Sequence, residues 1–151
     1  MIRDSIKAAQ VAAMKGGDKP RLAAVRLILA KLKDRDIELR TASQVPEDDV
    51  LVVEVLQKMV KQRRESVVQF EAGGRTDLAD KENAEIVVLS AYLPAQLDAA
   101  ELDALIQAVM TETAATSVKD MGKVMAIVKG KAAGRADMGA VGARVKALLG
   151  G

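Results

Sequence analysis

Asp18-Lys19-Pro20-Arg21-Leu22-Ala23-Ala24-Val25-Arg26-Leu27-Ile28-Leu29-Ala30-Lys31-Leu32 is the stretch whose reading decides the fold class. Leu22, Val25, Leu29 and Leu32 recur at steps of three and four residues, and Ile28 widens the stripe. That is a helical period, not the two-residue period of a strand. Asp18 is a residue type that accepts hydrogen bonds from free N–H groups at a helix start, and Pro20 suits the first turn. Gly16-Gly17 suits the stop of a preceding helix, because glycine tolerates the left-handed conformation used there. The stretch predicts a helix over about 19–39. It also ends another over 2–15, with Ile2, Ile6, Ala9 and Ala13 on one face.

Outward from there the same logic continues. Thr41 to Val45 reads as a polar linker. Pro46 starts the longest helix, and Glu47, Asp48 and Asp49 complement the positive end of its dipole. Val52, Leu56, Met59, Val60, Val67 and Phe70 form its expected buried stripe, and Gly73-Gly74 stops it. A fourth helix is expected over about 77–91, carrying Leu78, Ile86, Val87 and Leu89. Tyr92-Leu93-Pro94 is the clearest boundary, since the residue before a proline is pushed out of the helical region.

Beyond it the elements shorten. Asp98 with Glu101 has the spacing of a capping box for a helix over 99–112, with Leu102, Leu105, Ile106 and Val109 facing inward. Ser117 with Asp120 marks a helix over 118–129. Asp137 starts a last one to about 149, with Val141, Val145, Leu148 and Leu149 inside. The expected architecture is all-α: a four-helix N-terminal domain, residues 1–94, followed by a small three-helix C-terminal module, residues 95–151.

Composition removes many functions. Among the 151 residues there is no Cys, no His and no Trp, and Tyr92 and Phe70 are the only aromatics. Thiolate or histidine metal sites, Cys nucleophiles and serine–histidine triads are excluded within the chain. Base-stacking platforms need aromatic side chains that the chain lacks. The carboxylates, Glu82 and Glu85 among them, are best explained as surface acids. No catalytic constellation, metal site or cofactor is expected. No apolar run approaches the ~20 residues of a membrane span, and Met1-Ile2-Arg3-Asp4-Ser5 lacks an apolar signal region, so a cytoplasmic protein with no membrane association is expected.

The net charge is only +2, too small to announce nucleic-acid binding in bulk, but it is unevenly spread. Residues 95–116 hold four acids (Asp98, Glu101, Asp103, Glu112) and no base. Residues 117–151 hold seven bases against two acids. Two clusters are candidates for phosphate contact. In the first, Gln57, Lys61 and Arg64 share a strip of the third helix, and Lys58, Lys61, Gln62 and Glu65 lie beside it, a face that could grip a phosphate backbone. The competing reading is a solvated face with Glu54–Lys58 and Lys61–Glu65 pairs. The second is Lys129-Gly130-Lys131-Ala132-Ala133-Gly134-Arg135-Ala136-Asp137, whose glycines could expose backbone N–H groups just before the last helix. The competing reading is a plain turn capped by Asp137.

Lys61-Gln62-Arg63-Arg64-Glu65-Ser66, Phe70-Glu71, Gly74-Arg75-x-x-Leu78-Ala79, Glu82-x-x-Glu85-Ile86 and Tyr92-Leu93-Pro94-x-Gln96-Leu97 resemble the YqeY proteins. Asp120-Met121-Gly122-Lys123-Val124-Met125 and Gly134-Arg135-Ala136-Asp137 do as well, and so do Arg21-Leu22, Val25-Arg26-Leu27-Ile28 and Leu32-Lys33. The motifs keep family order across nearly the whole chain. The resemblance implies a C-terminal module similar to the tail domain of the GatB subunit of tRNA-dependent amidotransferases. Gly122-Lys123-Val124-Met125 and Lys129-Gly130-Lys131-Ala132 resemble stretches of that tail, whereas Gly134-Arg135-Ala136-Asp137 fits the YqeY pattern, so two stretches compete as equivalent of its loop.

The resemblance implies a tRNA-binding accessory factor. The family label is carbon-nitrogen ligase activity with glutamine as amido-N-donor, yet the chain lacks the catalytic domains. The expected contacts are Lys123, Lys129, Lys131, Arg135, Arg144 and Lys146, extended by Lys58, Lys61 and Arg64. The alternative is a protein-interaction module docking on an amidotransferase or aminoacyl-tRNA synthetase subunit, through the acidic helix and Met121, Met125 and Met138.

Overall fold

The computed structural model describes residues 1–150. Among them are seven α-helices and two short 3-10 turns, with no strand. The chain divides into two compact units, Met1–Leu93 and Pro94–Gly151.

The first unit contains α1 (Ile2–Gly16), α2 (Lys19–Glu38), α3 (Asp48–Ala72) and α4 (Thr76–Ser90). Its starts and stops follow from local chemistry. Gly17 takes a φ of 68°, and its N–H and that of Asp18 close the last turn of α1. The Asp18 carboxylate accepts the Arg21 N–H at 3.2 Å to open α2. α2 passes into a 3-10 turn over Leu39–Thr41. The long helix starts at Asp48, two residues later than Pro46 suggests, with Glu47 in the capping position.

Ile6, Val25, Ile28, Leu32, Leu51, Val52, Leu56, Met59, Val60 and Leu89 make the buried cluster of this unit, with Ile86, Tyr92 and Leu93 packed against it. No residue of α3 beyond Val60 belongs to it. Val67 and Phe70, expected to be buried, are half-buried, and Val87 of α4 is 72% exposed. Packing against a single neighbouring helix covers an apolar stripe on one side only.

A charged staple ties three helices together. Arg3 of α1 donates to both oxygens of Asp36 on α2 at 2.9 and 3.0 Å. Its Nε donates to Asp48 on α3 at 3.0 Å, and the Ile2 N–H donates to Asp49 at 3.0 Å. Asp36 first, then Asp48, hold the Arg3 guanidinium above its ordinary pKa, against a smaller opposing effect of burial. Asp48 and Asp49 thus serve twice, at the positive end of α3 and as anchors for α1.

The second unit contains α5 (Ala99–Thr113), α6 (Met121–Ala132) and α7 (Met138–Leu148), with a 3-10 turn over Val118–Asp120 leading into α6. Ile106 and Val109 of α5, Val124, Val128 and Ala132 of α6, and Val141, Val145 and Leu149 from α7 onward form its buried cluster. Asp98 and Glu101 close the expected capping box. Asp98 accepts the Glu101 N–H at 2.7 Å, and Glu101 accepts the Asp98 N–H at 2.9 Å. Asp98→Ala is expected to cost about 1 kcal/mol. A urea midpoint equal to that of the wild type would show that the box contributes nothing.

Candidate nucleic-acid interface

Lys58, Lys61 and Arg64 lie on α3 in steps of three, so each is turned about 60° from the next around the axis. All three are exposed; Lys58 and Lys61 point away from Leu56, Met59 and Val60, whereas Arg64 lies about 40° from Val60 at the edge of the buried stripe. Among the described residues neither Glu54–Lys58 nor Lys61–Glu65 comes within ion-pair distance, and none of the three cations is paired. The neighbouring Arg63 is different. It donates through Nε to Glu85 of α4 at 2.9 Å and through Nη1 to the Met59 carbonyl at 3.3 Å. One arginine of the Lys61–Ser66 motif therefore joins α3 to α4 while its neighbours face solvent. Burial pattern separates them: Arg63 is turned by only about 20–40° from Met59 and Leu56 on alternate turns.

In the second unit the expected contacts are dispersed. Lys129-Gly130-Lys131-Ala132 is the last turn of α6 and not a glycine loop. Its N–H groups belong to a helix, and the lysines sit at the negative end of the dipole. Lys123 and Lys131 are about 80° apart around α6, whereas Lys129 lies about 160° from Lys131. Arg144 and Lys146, two residues apart on α7, are separated by about 160°.

Part of the charge asymmetry is absorbed inside the unit. Arg144 binds both oxygens of Asp103 on α5 at 2.6 and 2.7 Å. Lys131 reaches Glu112 of α5 at 3.6 Å. The acidic helix and the basic helices are thus mutual counterions. Asp120, within a family motif, caps the turn before α6 by accepting the Thr116 and Ser117 N–H groups at 3.0 and 3.3 Å. Asp137 accepts the Ala140 N–H at 3.1 Å, so a carboxylate already occupies the start of α7. Met121, Met125 and Met138 pack against the buried cluster of the unit.

The Asp103 carboxyl is held below the usual carboxylate range, first by its hydrogen bonds from Arg144. A depressed carboxylate stabilises the fold above its unfolded pKa of about 4, and that contribution is lost as pH falls through the folded value. Asp103→Asn is expected to flatten the acid limb of the stability–pH profile below about pH 4. Urea midpoints measured from neutral pH down into that range test it, and parallel profiles would contradict it. The pair is partly exposed, so the effect near neutral pH is small.

Sequence reasoning missed one arrangement. Arg135 donates through Nε to the Ala95 carbonyl at 3.0 Å, and its own carbonyl accepts the Leu97 N–H at 2.8 Å. The Gln96 amide donates to the Pro94 carbonyl at 2.7 Å and to the Gly134 carbonyl at 2.8 Å. Gly134 has a φ of 73° and is buried, a backbone state that favours glycine. Two motifs far apart in sequence, Pro94-x-Gln96-Leu97 and Gly134-Arg135, thus form one clasp. Their joint presence in the family resemblance was the only signal of it.

No group of three or more Asp, Glu, His or Cys residues is arranged to hold a metal among the described residues. Nor is any helix there long and apolar enough to cross a membrane.

A sequence model of the Yqey-like protein family matches residues 3–149. The chain belongs to the YqeY family. Its curated relatives include proteins named Altered inheritance of mitochondria protein 41, mitochondrial. The protein of Pyrenophora tritici-repentis is 30% identical over 80% of this chain and 67% of its own length. That of Eremothecium gossypii is 35% identical over 55% of this chain and 44% of its own. That of Saccharomyces cerevisiae (strain YJM789) is 27% identical over 68% of this chain and 52% of its own. This YqeY chain spans roughly half the length of most of these relatives. Their names point to mitochondria and overturn the expectation of a cytoplasmic protein. That expectation rested on lacking a membrane span and an apolar signal region, and neither feature distinguishes the cytoplasm from the inside of an organelle.

Proposed function

We propose that this YqeY-family chain is a tRNA-binding accessory factor, without catalysis of its own, that works with tRNA-dependent amidotransferases. The observation that carries the reading is the strip of three exposed, unpaired cations on α3, Lys58, Lys61 and Arg64. Cations without internal counterions release condensed ions from a phosphate backbone without first breaking ion pairs of their own. The resemblance of the second unit to an amidotransferase tail supports tRNA as the nucleic acid. Lys129 and Lys146 add unpaired charge on that unit and Lys123 adds charge near Asp120, while Arg144 and Lys131 would first have to leave Asp103 and Glu112.

Recognition would be of folded shape and backbone. Tyr92 packs on the buried cluster and Phe70 is half-buried, so little aromatic surface is offered to splayed bases. The docking alternative loses its methionines, which pack on the module core. The test is binding of purified protein to unfractionated tRNA across salt concentration. Saturable binding that falls steeply with salt and exceeds binding to duplex DNA is expected. No binding at low salt would rule the reading out.

A further inference from the structure

Arg135 differs from every other cation of the second unit. Arg144 commits its fork to Asp103, Lys131 leans on Glu112, and the remaining lysines hang from flexible stems. Arg135 is half-buried and held by Nε to a backbone carbonyl. Its two terminal nitrogens have no hydrogen bond or ion pair among the described residues. A neutral carbonyl fixes the guanidinium plane without neutralising it. A carboxylate in the same place would do both. The backbone beneath is fixed as well: the Arg135 N–H donates to the Ala132 carbonyl at 2.9 Å, and its carbonyl accepts from Leu97. Gln96 ties the preceding glycine to the Pro94–Leu97 segment with one amide nitrogen.

Little side-chain entropy is left for such an arginine to lose on binding, and the free fork matches two oxygens of a phosphate. We infer that Arg135 is the oriented, principal phosphate contact of the second unit, and that Gln96 is a positioning residue that aims it. This inference rests on the tRNA reading and narrows it, since it removes Arg144 from the contact set.

The test uses the full chain, unfractionated tRNA and a salt titration of three variants. Arg135→Gln removes one released counterion. It should lower affinity about tenfold and reduce the slope of log K against log salt by about one. Arg135→Lys keeps the charge but cannot both hold the Ala95 carbonyl and present a fork. It should lose several-fold affinity at an unchanged slope. Gln96→Ala should do the same, since it alters aim and not charge. Melting temperatures of all three separate this from loss of fold. A merely structural clasp would lower the melting temperature of Arg135→Gln and leave the slope alone, and that result overturns the inference. Wild-type slope and affinity in Arg135→Gln also overturn it, while leaving the tRNA reading standing. Absence of tRNA binding by the wild type sinks both.

Discussion

Reversing Lys58, Lys61 and Arg64 together to Glu is expected to weaken tRNA binding about 100-fold near physiological salt, equivalent to about 2.7 kcal/mol. The salt slope should fall by about two to three, one decrement of roughly 0.7–0.9 for each phosphate left without its cation. Three-residue steps set the cations side by side on the exposed surface of α3, with Arg64 at the edge of the buried stripe. No carboxylate competes for them at ion-pair distance among the described residues, so their charge is available to a partner. The fold should not suffer, because exposed, unpaired side chains change stability by only about 0.5 kcal/mol or less. A triple variant with an unchanged melting temperature and an unchanged salt slope would falsify the α3 interface. Arg63→Gln gives the contrast. It breaks the tie to Glu85 and should lower stability more than it changes the salt slope.

Leu56→Ala should be the most damaging conservative change in the first unit. Leu56 is 0% exposed within the cluster that joins α1, α2, α3 and α4. Truncating a buried leucine costs the transfer energy of the removed atoms plus a cavity, about 2–5 kcal/mol together. For a unit of this size that lowers Tm by on the order of 10–20 °C. Val68→Ala, also on α3 but 66% exposed, should shift it by less than about 2 °C. Thermal unfolding followed by circular dichroism distinguishes the two. Equal shifts would mean that the cluster is not the stabilising core of the unit. A stability of about 5–15 kcal/mol is usual for a domain, so the leucine change removes a large share of it.

Helix positions were largely legible in the residues. Asp18 with Pro20, Gly17, Gly73-Gly74 and the Asp98–Glu101 box act within four residues of themselves, and each marks the start or stop it announces. The apolar stripes of α2 and α5 were equally plain, because helical periodicity needs no knowledge of the partner. The stripe of α3 was legible as a stripe but not in its extent. Only the neighbours decide that Val60 is buried while Val67 and Phe70 are covered by half.

The candidate site divides in the same way. Periodicity alone grouped Lys58, Lys61 and Arg64, since one helix carries all three. It could not tell that Lys129 and Lys131 point to different sides of a helix in place of lining a loop. That required knowing that α6 runs on to Ala132.

By itself the sequence determined an all-helical chain, the caps that punctuate it and the family to which it belongs. Those properties rest on interactions between residues a turn apart and on the order of motifs. Tertiary structure alone decided which charges remain available. Arg3 meets Asp36 and Asp48, Arg63 meets Glu85, Arg144 meets Asp103, and Arg135 meets the Ala95 carbonyl. Each of these pairings joins residues on separate elements, across 22 to 45 positions of chain. Coulomb attraction acts over a few ångströms of space, and helix packing, not spacing along the chain, determines which opposite charges come that close.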